Sequence, residues 1–359
     1  MIGGLKTFRK RLLAWYDRSR RDLPWRASPQ RPGPLDPYHV LVSETMLQQT
    51  QVATVIPYFK RFLERFPTLD ALARADEQAV LRLWQGLGYY SRARNLQAAA
   101  RQVVRDHGGQ LPADARMLLT LPGVGRYTAG AVASIAFEIP APILDGNVIR
   151  VLCRLDKVQS DLREPAVREA LWARAAQIVP RRRPGDFNSA LMELGATICT
   201  PRNPQCLICP VREHCEACQA GLQEQLPPPR KARPTPLVRR KTYCIQCDGK
   251  WLIEQRPARG RWAGMWQFVT VEAGRTGKHN GSAPLPIEVA DATRIGRVRH
   301  ALTHRRYQFE VLLARVKSKD LPICDGSRRW VGLEDLDAYP LPRPHVKIAQ
   351  MLREAADIR

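Results

Sequence analysis

Residues 226–236 read LPPPRKARPTP, and the apolar pattern of the chain differs on the two sides of them. The run is proline-rich, basic and without apolar periodicity, so it reads as an extended linker. Before it, from residue 5 to about 215, apolar residues recur at three- and four-residue spacing, as in ALWARAAQIV and LQAAARQVV, with glycines and prolines between segments. After it the pattern turns to strands. TYCIQCDGKWLIEQRP holds two β-prone runs joined by Asp248-Gly249, a strong hairpin signal. RRYQFEVLLARV is a further strand and PHVKIAQMLREAAD a closing helix. The expected architecture is multi-domain: all-α over 1–225, a linker over 226–239, and a smaller α+β domain over 240–359, with no internal repeat.

The 359 residues carry 57 Lys+Arg against 34 Asp+Glu, a formal net charge of +23. Charge of that size implies a polyanionic partner, either nucleic acid or an anionic membrane face. No apolar run approaches the ~20 residues of a membrane span. The N-terminal MIGGLKTFRKRLLAWYDRSRRDLPW alternates apolar and basic residues without the uninterrupted apolar core of a signal peptide. A soluble, cytoplasmic protein is expected, with no membrane partner.

Five of the nine cysteines fall between Cys199 and Cys218, which points to metal ligation rather than disulfides. Cys199, Cys206, Cys209 and Cys215 follow Cys-x6-Cys-x2-Cys-x5-Cys. Four thiolates at short spacing suit a tetrahedral zinc or an iron–sulfur cluster, and spacing alone does not decide between them. Cys218 lies three residues beyond the last ligand and reads as a bystander. Arg202, Arg212 and His214 around the loop are candidates for phosphate contact. Cys244 and Cys247 fall in a strand pattern and read as two buried thiols rather than half a zinc site.

Residues 121–130, LPGVGRYTAG, lie between two helical patterns, ADARMLLT and YTAGAVASIAF. Gly123 and Gly125 suit a tight turn and close approach by another backbone. The amides opening the second helix lack intrahelical partners and carry the positive end of its dipole, which makes them a phosphate site. This is the pattern of a helix-hairpin-helix that grips a DNA backbone without reading its sequence. Farther on, ILDGNV places Asp145 just before another helix, where the plain reading is an N-cap.

Hairpin and aspartate together resemble the helix-hairpin-helix superfamily of DNA glycosylases, and the cysteine loop resembles the [4Fe–4S] loop of its endonuclease III-like members. RDLPWR, SETMLQQTQVATVIPYF, LWQGLGYYSRARNL, LPGVGRYTAGA and ILDGNV narrow the resemblance to the MutY family of adenine DNA glycosylases. That family removes adenine mispaired with 8-oxoguanine or guanine in double-stranded DNA, so the resemblance implies a base-excision enzyme carrying a [4Fe–4S] cluster. It also implies a monomer acting in the cytoplasm of a bacterium, at the nucleoid.

The same resemblance implies the site. Breaking an N-glycosidic bond to adenine needs a proton on the departing base and negative charge beside the sugar. Glu44, read as lying at the start of an apolar helix, is the acid. Asp145 is the ionised partner, supported by Asn147. Tyr127 stands where strand-nicking relatives carry a Schiff-base lysine; a phenol forms no imine, which fits a monofunctional enzyme whose Tyr127 donates a hydrogen bond near Asp145 and the sugar. Ile149 likewise replaces a lysine found in some bacterial members. Arg21, Leu23, Trp25, Arg26, Leu47 and Glu193 are expected to line the adenine pocket, with Trp25 and Leu47 equally readable as core. The insertion ASPQRPGPLD lies beside that pocket. Gln49 and Tyr89 are expected to fill or wedge the base stack.

WLIEQRPARGRWAGMWQF and VRHALTHRRYQFEVLLARV resemble the family's Nudix-like (MutT-like) C-terminal domain. The stretch after Trp266 has no Arg-Glu-x-x-Glu-Glu run, which implies lesion recognition without hydrolysis. Leu302, Thr303 and His304 stand where the family's lesion-reading loop carries Phe-Ser-His. Competing readings are a bifunctional lyase for oxidised pyrimidines, opposed by Tyr127; a non-catalytic DNA-binding iron–sulfur protein, opposed by the paired carboxylates; and a nucleotide phosphohydrolase, opposed by the missing glutamates.

Overall fold

The structure is a computed structural model in which residues 2–26, 35–229, 234–272, 289, 291–316 and 326–357 are described. It divides into two compact units, one of Met1–Arg74 with Asn95–Lys231 and one of Ala75–Arg94 with Ala232–Arg359. Helices α1 (Ile2–Ser19), α2 (Pro37–Leu47), α3 (Val52–Arg65) and α4 (Leu69–Arg74) open the first unit. After α5 (Glu77–Trp84) and α6 (Ser91–His107) come α7 (Ala115–Leu118), α8 (Arg126–Phe137), α9 (Gly146–Leu155), α10 (Pro165–Ile178), α11 (Pro184–Thr197) and the single turn α12 (Glu216–Gln219).

Local chemistry sets several of these boundaries. Asp36 caps α2 through the Tyr38 N–H with Pro37 at the first helical position, and prolines also open α10 and α11. Because α2 starts at Pro37, Glu44 lies near its C-terminal end. The expected placement at a helix start is thereby corrected, and Asp36-Pro37 was the signal for the true start. Asp145 does cap α9, accepting the Val148 N–H.

The helix expected in ADARMLLT is one turn, held by Asp114 accepting the Arg116 and Met117 N–H groups. Of the two hairpin glycines only Gly123 uses left-handed backbone, at φ +76°. Gly125 is extended at φ −92° and N-caps α8 without a side chain, and a Cβ there would meet nothing within 4 Å. α11 packs against α1, α8 and α9. Phe8, Leu12, Tyr16, Leu152, Trp172 and Phe187 belong to the resulting core.

The second unit is built on a mixed sheet of β1 (Leu237–Cys247), β2 (Lys250–Gln255), β3 (Trp266–Glu272), β4 (Ala292–Leu302), β5 (Arg305–Arg315) and β6 (Arg328–Val331). The order is β4-β5-β1-β3-β2-β6, with β1 parallel to β5 and the other neighbours antiparallel. β1 turns into β2 through Asp248 and Gly249, both at positive φ, the backbone of a two-residue hairpin turn. Cys244 and Cys247 are buried in β1. The closing helix α13 (Arg343–Asp357) sets His345 against Phe268 and Phe309.

Residues 75–94 have helical sequence but group with this sheet. Gln78 Nε2 donates to Gly264 O (3.1 Å), Trp266 Nε1 donates to Gln78 Oε1 (3.1 Å), and Leu341 N donates to Gln85 Oε1 (3.1 Å). Residues 27–34 of the proline-rich insertion, and most of the stretch after Trp266 that has no Arg-Glu-x-x-Glu-Glu run, lie outside the described residues. Among the described residues no helix is long and apolar enough to cross a membrane.

Candidate active site

A cavity of about 750 Å³ in the first unit gathers residues far apart in sequence. Glu44 of α2, Tyr127 from the first turn of α8, Asp145 and Asn147 from the start of α9, and Met192 of α11 all line it. Arg21, Leu23, Trp25, Arg26, Leu47 and Gln49 line it too. Trp25 does both things its sequence allowed, packing edge-on against Phe59 at 5.2 Å while facing the cavity.

The two carboxylates have different surroundings. Glu44 is 4 % exposed, and burial pushes its acid up to about 7 even though the Tyr127 hydrogen bond opposes the shift; the Asp145 charge adds to it. Burial also raises Asp145, and hydrogen bonds from Val148 N–H and Asn147 and the charge of Arg150 offset that rise only in part. Val148 N donates to Asp145 Oδ1 at 2.7 Å and Asn147 Nδ2 to Oδ2 at 2.9 Å. The Tyr127 hydroxyl, expected to donate near Asp145 and the sugar, donates to Glu44 Oε2 at 2.5 Å and also approaches Met192 Sδ at 3.2 Å. Burial and then the two carboxylates push the phenol well above its usual range, which keeps it a donor.

Glu193, expected in the cavity lining, is fully buried behind it. Its carboxylate takes Arg21 Nε (2.6 Å) and Nη2 (3.0 Å) and Arg26 Nη1 (2.8 Å), which together hold it ionised against the burial penalty. It fixes the two arginines that do face the cavity. Gln49 has φ +58°, a left-handed conformation costing of order 1–3 kcal/mol for a non-glycine residue.

Outside the cavity, Tyr89 also has positive φ (+48°) and is exposed. Its hydroxyl lies 2.6 Å from Thr303 Oγ1. Thr303 and His304 form the exposed two-residue turn between β4 and β5, next to Leu302. Gly123 and Gly125 lie in the α7–α8 turn and line no part of the cavity.

Arg150 escaped the sequence reading, although it lies one helical turn beyond Asn147 on α9. It donates to Asn147 Oδ1 (2.9 Å), Gly195 O (2.7 Å) and Cys199 O (2.7 Å), joining the cavity to the cysteine loop. Gly195 permits this approach, since a Cβ there would meet Asn147 Cβ at 2.6 Å. Gly195→Ala is therefore expected to cost about 1–3 kcal/mol of stability from overpacking. It should also slow turnover by moving Asn147 off Asp145; thermal melts and single-turnover rates on the same preparation check both.

Cys199 follows Ile198, the C-cap of α11. Arg154, 2 % exposed, donates to Cys199 Sγ (3.3 Å) and Thr200 O (2.7 Å), and Cys215 Sγ donates to Arg154 O (3.3 Å). Burial first, and neighbouring thiols after it, push Cys206 up to about 11 and Cys209 up to about 12. No three His, Cys, Asp or Glu among the described residues close on one ion-sized point. The donor set, four thiols near enough to interact with one another beside the buried Arg154 guanidinium, fits an anionic iron–sulfur cluster, which is larger than a single ion. His214 does not fit the phosphate contact expected of it: its ring packs on Phe8 at 5.7 Å and its Nε2 is buried. Arg202 and Arg212 are exposed.

Comparison with known proteins resolves the cluster type and the family. Residues 42–177 match the model of the HhH-GPD superfamily of base excision DNA repair proteins, and residues 199–215 that of the iron-sulfur binding domain of endonuclease III. The chain is 41 % identical over 366 residues to the adenine DNA glycosylase of Rattus norvegicus, covering 86 % of this chain and 70 % of the rat protein. The chain belongs to the adenine DNA glycosylase family. The human adenine DNA glycosylase is 39 % identical, over 93 % of this chain and 72 % of that protein. Residues 242–351 match the NUDIX domain model, so the α+β expectation holds for the family's second unit. A thermostable thymine-DNA glycosylase superposes on 61 % of this chain and 98 % of its own, with TM-score 0.54 and 30 % identity. Membership makes the protein a DNA N-glycosylase with a [4Fe–4S] cluster. The mammalian relatives give no support to the expected bacterial origin.

Proposed function

We propose that the protein excises adenine mispaired with 8-oxoguanine or guanine in double-stranded DNA, as a monofunctional glycosylase acting as a monomer wherever the cell keeps its DNA. The observation carrying this reading is Glu44 and Asp145 facing one cavity, their acidities set by different surroundings, with Tyr127 bonded to Glu44 and no lysine among the lining residues. Paired carboxylates in unlike environments divide acid and electrostatic work.

In this reading, adenine leaves the stack and enters the cavity between Leu23, Trp25 and Leu47, at a cost of a few kcal/mol. Tyr127 occupies Glu44 Oε2 as a donor, which leaves Oε1 to carry the proton given to the base. The C1′–N bond breaks, its electron pair leaves with the protonated base, and Asp145 holds its charge beside the sugar cation. Water then adds at C1′ and returns a proton to Glu44. Val148 N–H and Asn147 keep the Asp145 carboxylate aimed. Cys199, Cys206, Cys209 and Cys215 hold the cluster, which supplies a rigid, DNA-facing loop. The hairpin amides after Gly123 and Gly125 take a phosphate. Gln49 and Tyr89 fill the stack, and Leu302, Thr303 and His304 read the opposing lesion. Residues 1–225 form the catalytic domain, 226–239 the linker and 240–359 the recognition domain.

The deciding experiment is single-turnover excision from duplexes carrying adenine opposite 8-oxoguanine, guanine or thymine. Adenine should be lost from the first two, with strand breakage only after alkali and no adduct trapped by borohydride. A trapped adduct would contradict the monofunctional reading.

The pH profile gives an independent check. Only protonated Glu44 donates, and its acid lies at about 7. The excision rate should therefore fall about fivefold between pH 7 and pH 8. A profile flat across that interval would remove Glu44 from the role.

A further inference from the structure

A fifth thiol stands unused beside the four ligands. Cys215-x2-Cys218 repeats the spacing of Cys206-x2-Cys209. α12 begins directly after Cys215 and carries Cys218 in its one turn. The Cys218 side chain is hydrogen-bonded to the Cys206 side chain, and the Cys218 backbone N–H donates to the Cys215 sulfur. Cys218 and Cys209 also line one recess on the loop, with Leu207 and Pro210. Cys209 itself interacts with Cys199, Cys215 and Cys206, so Cys218 lies toward the Cys206 corner of the set.

That corner is the lightly held one. Cys206 opens a three-residue turn whose next two side chains, Leu207 and Ile208, are 84 % and 63 % exposed. Cys199 and Cys215, in contrast, are both tied to buried Arg154. A thiol whose neighbouring chain is in solvent has little packing to return it to iron once it dissociates.

We propose that Cys218 is a reserve ligand for the cluster, able to replace Cys206 at its corner while Cys199, Cys209 and Cys215 hold the other three. This rests on the four-cysteine ligand set proposed above. The exchange is redox-neutral. Cys218 Sγ gives its proton to solvent as its bond to iron forms, and Cys206 Sγ takes up a proton as its own bond breaks. Iron count and charge are unchanged.

The test uses the full chain and reads iron per chain and visible absorbance. Cys206→Ala should retain most of its iron, and the double variant Cys206→Ala/Cys218→Ala should lose it. Cys209→Ala should lose its cluster with Cys218 present, which reports on the ligand set itself. Iodoacetamide mapping adds a second readout: Cys218 alkylates in the native protein and becomes protected in Cys206→Ala. Loss of iron from Cys206→Ala as complete as from Cys209→Ala overturns the reserve role and leaves the ligand set intact. A cluster retained by Cys209→Ala overturns the ligand set instead. Should Cys206→Ala fail to fold, native protein and Cys218→Ala are compared under a strong iron chelator. The variant is then expected to release iron several-fold faster, and equal rates overturn the proposal.

Discussion

Glutamine at position 44 is expected to reduce single-turnover adenine excision by roughly 10²–10⁴-fold, the usual worth of a positioned general acid. The substitution is close to isosteric, and the glutamine carbonyl can still accept the Tyr127 hydroxyl that now donates to Glu44 Oε2. What is lost is the proton. The same variant carries a stability signature of opposite sign. Burial raises the Glu44 acid from its usual 4.5 to about 7, so its contribution to stability is fully present below about pH 4.5 and is lost as pH climbs through 7. Glu44→Gln should therefore melt like the native chain at pH 4.5 and above it at pH 8. A variant that is less active and also less stable at pH 8 would point to misfolding, and one that excises adenine at the native rate would end the acid assignment.

Asparagine at position 145 is expected to cost about 10²–10³-fold in excision, as removal of a preorganised electrostatic group does. In the proposed mechanism this residue has two functions that one substitution separates. Asp145 caps α9 through the Val148 N–H, and asparagine caps helices about as well as aspartate. It brings no negative charge to the sugar, and its amide group cannot accept from Asn147 Nδ2 as Oδ2 does now. The melting temperature should stay close to native while the rate falls. DNA binding, carried by other surfaces, should change little in a gel-shift titration at fixed salt. A rate loss matched by collapse of the melting transition would reduce Asp145 to a helix cap.

Much of this protein is written locally. The shift from three- and four-residue spacing to β-prone runs across LPPPRKARPTP located the helical and sheet-forming parts, because periodicity is a property of neighbours along the chain. The cysteine spacing announced a four-thiolate centre for the same reason. That Tyr127 itself forms no imine was equally local, since a phenol has no amine to condense with a carbonyl. The Asp248-Gly249 turn needed only the backbone freedom of those two residues.

The site's energetics were set at longer range. Glu44 sits near the C-terminal end of its helix, not at the start suggested by the apolar run around Ser43, because Asp36-Pro37 open that helix well upstream. Its acidity near 7 depends on burial among residues 83 and 148 positions away, Tyr127 and Met192. Glu193 looked like a lining residue, yet Arg21 and Arg26, more than 160 positions distant, draw it into the interior. Arg150 reaches the cysteine loop only because Gly195 lets α9 and α11 approach closely. Helical residues 75–94 join the sheet through Gln78 and Gln85, whose sequence surroundings are those of any surface helix. Sequence by itself determined which chemical groups this protein has and which local structures carry them. Tertiary structure decided which groups are desolvated and which face one another, because burial and charge proximity depend on distant segments that meet only on folding.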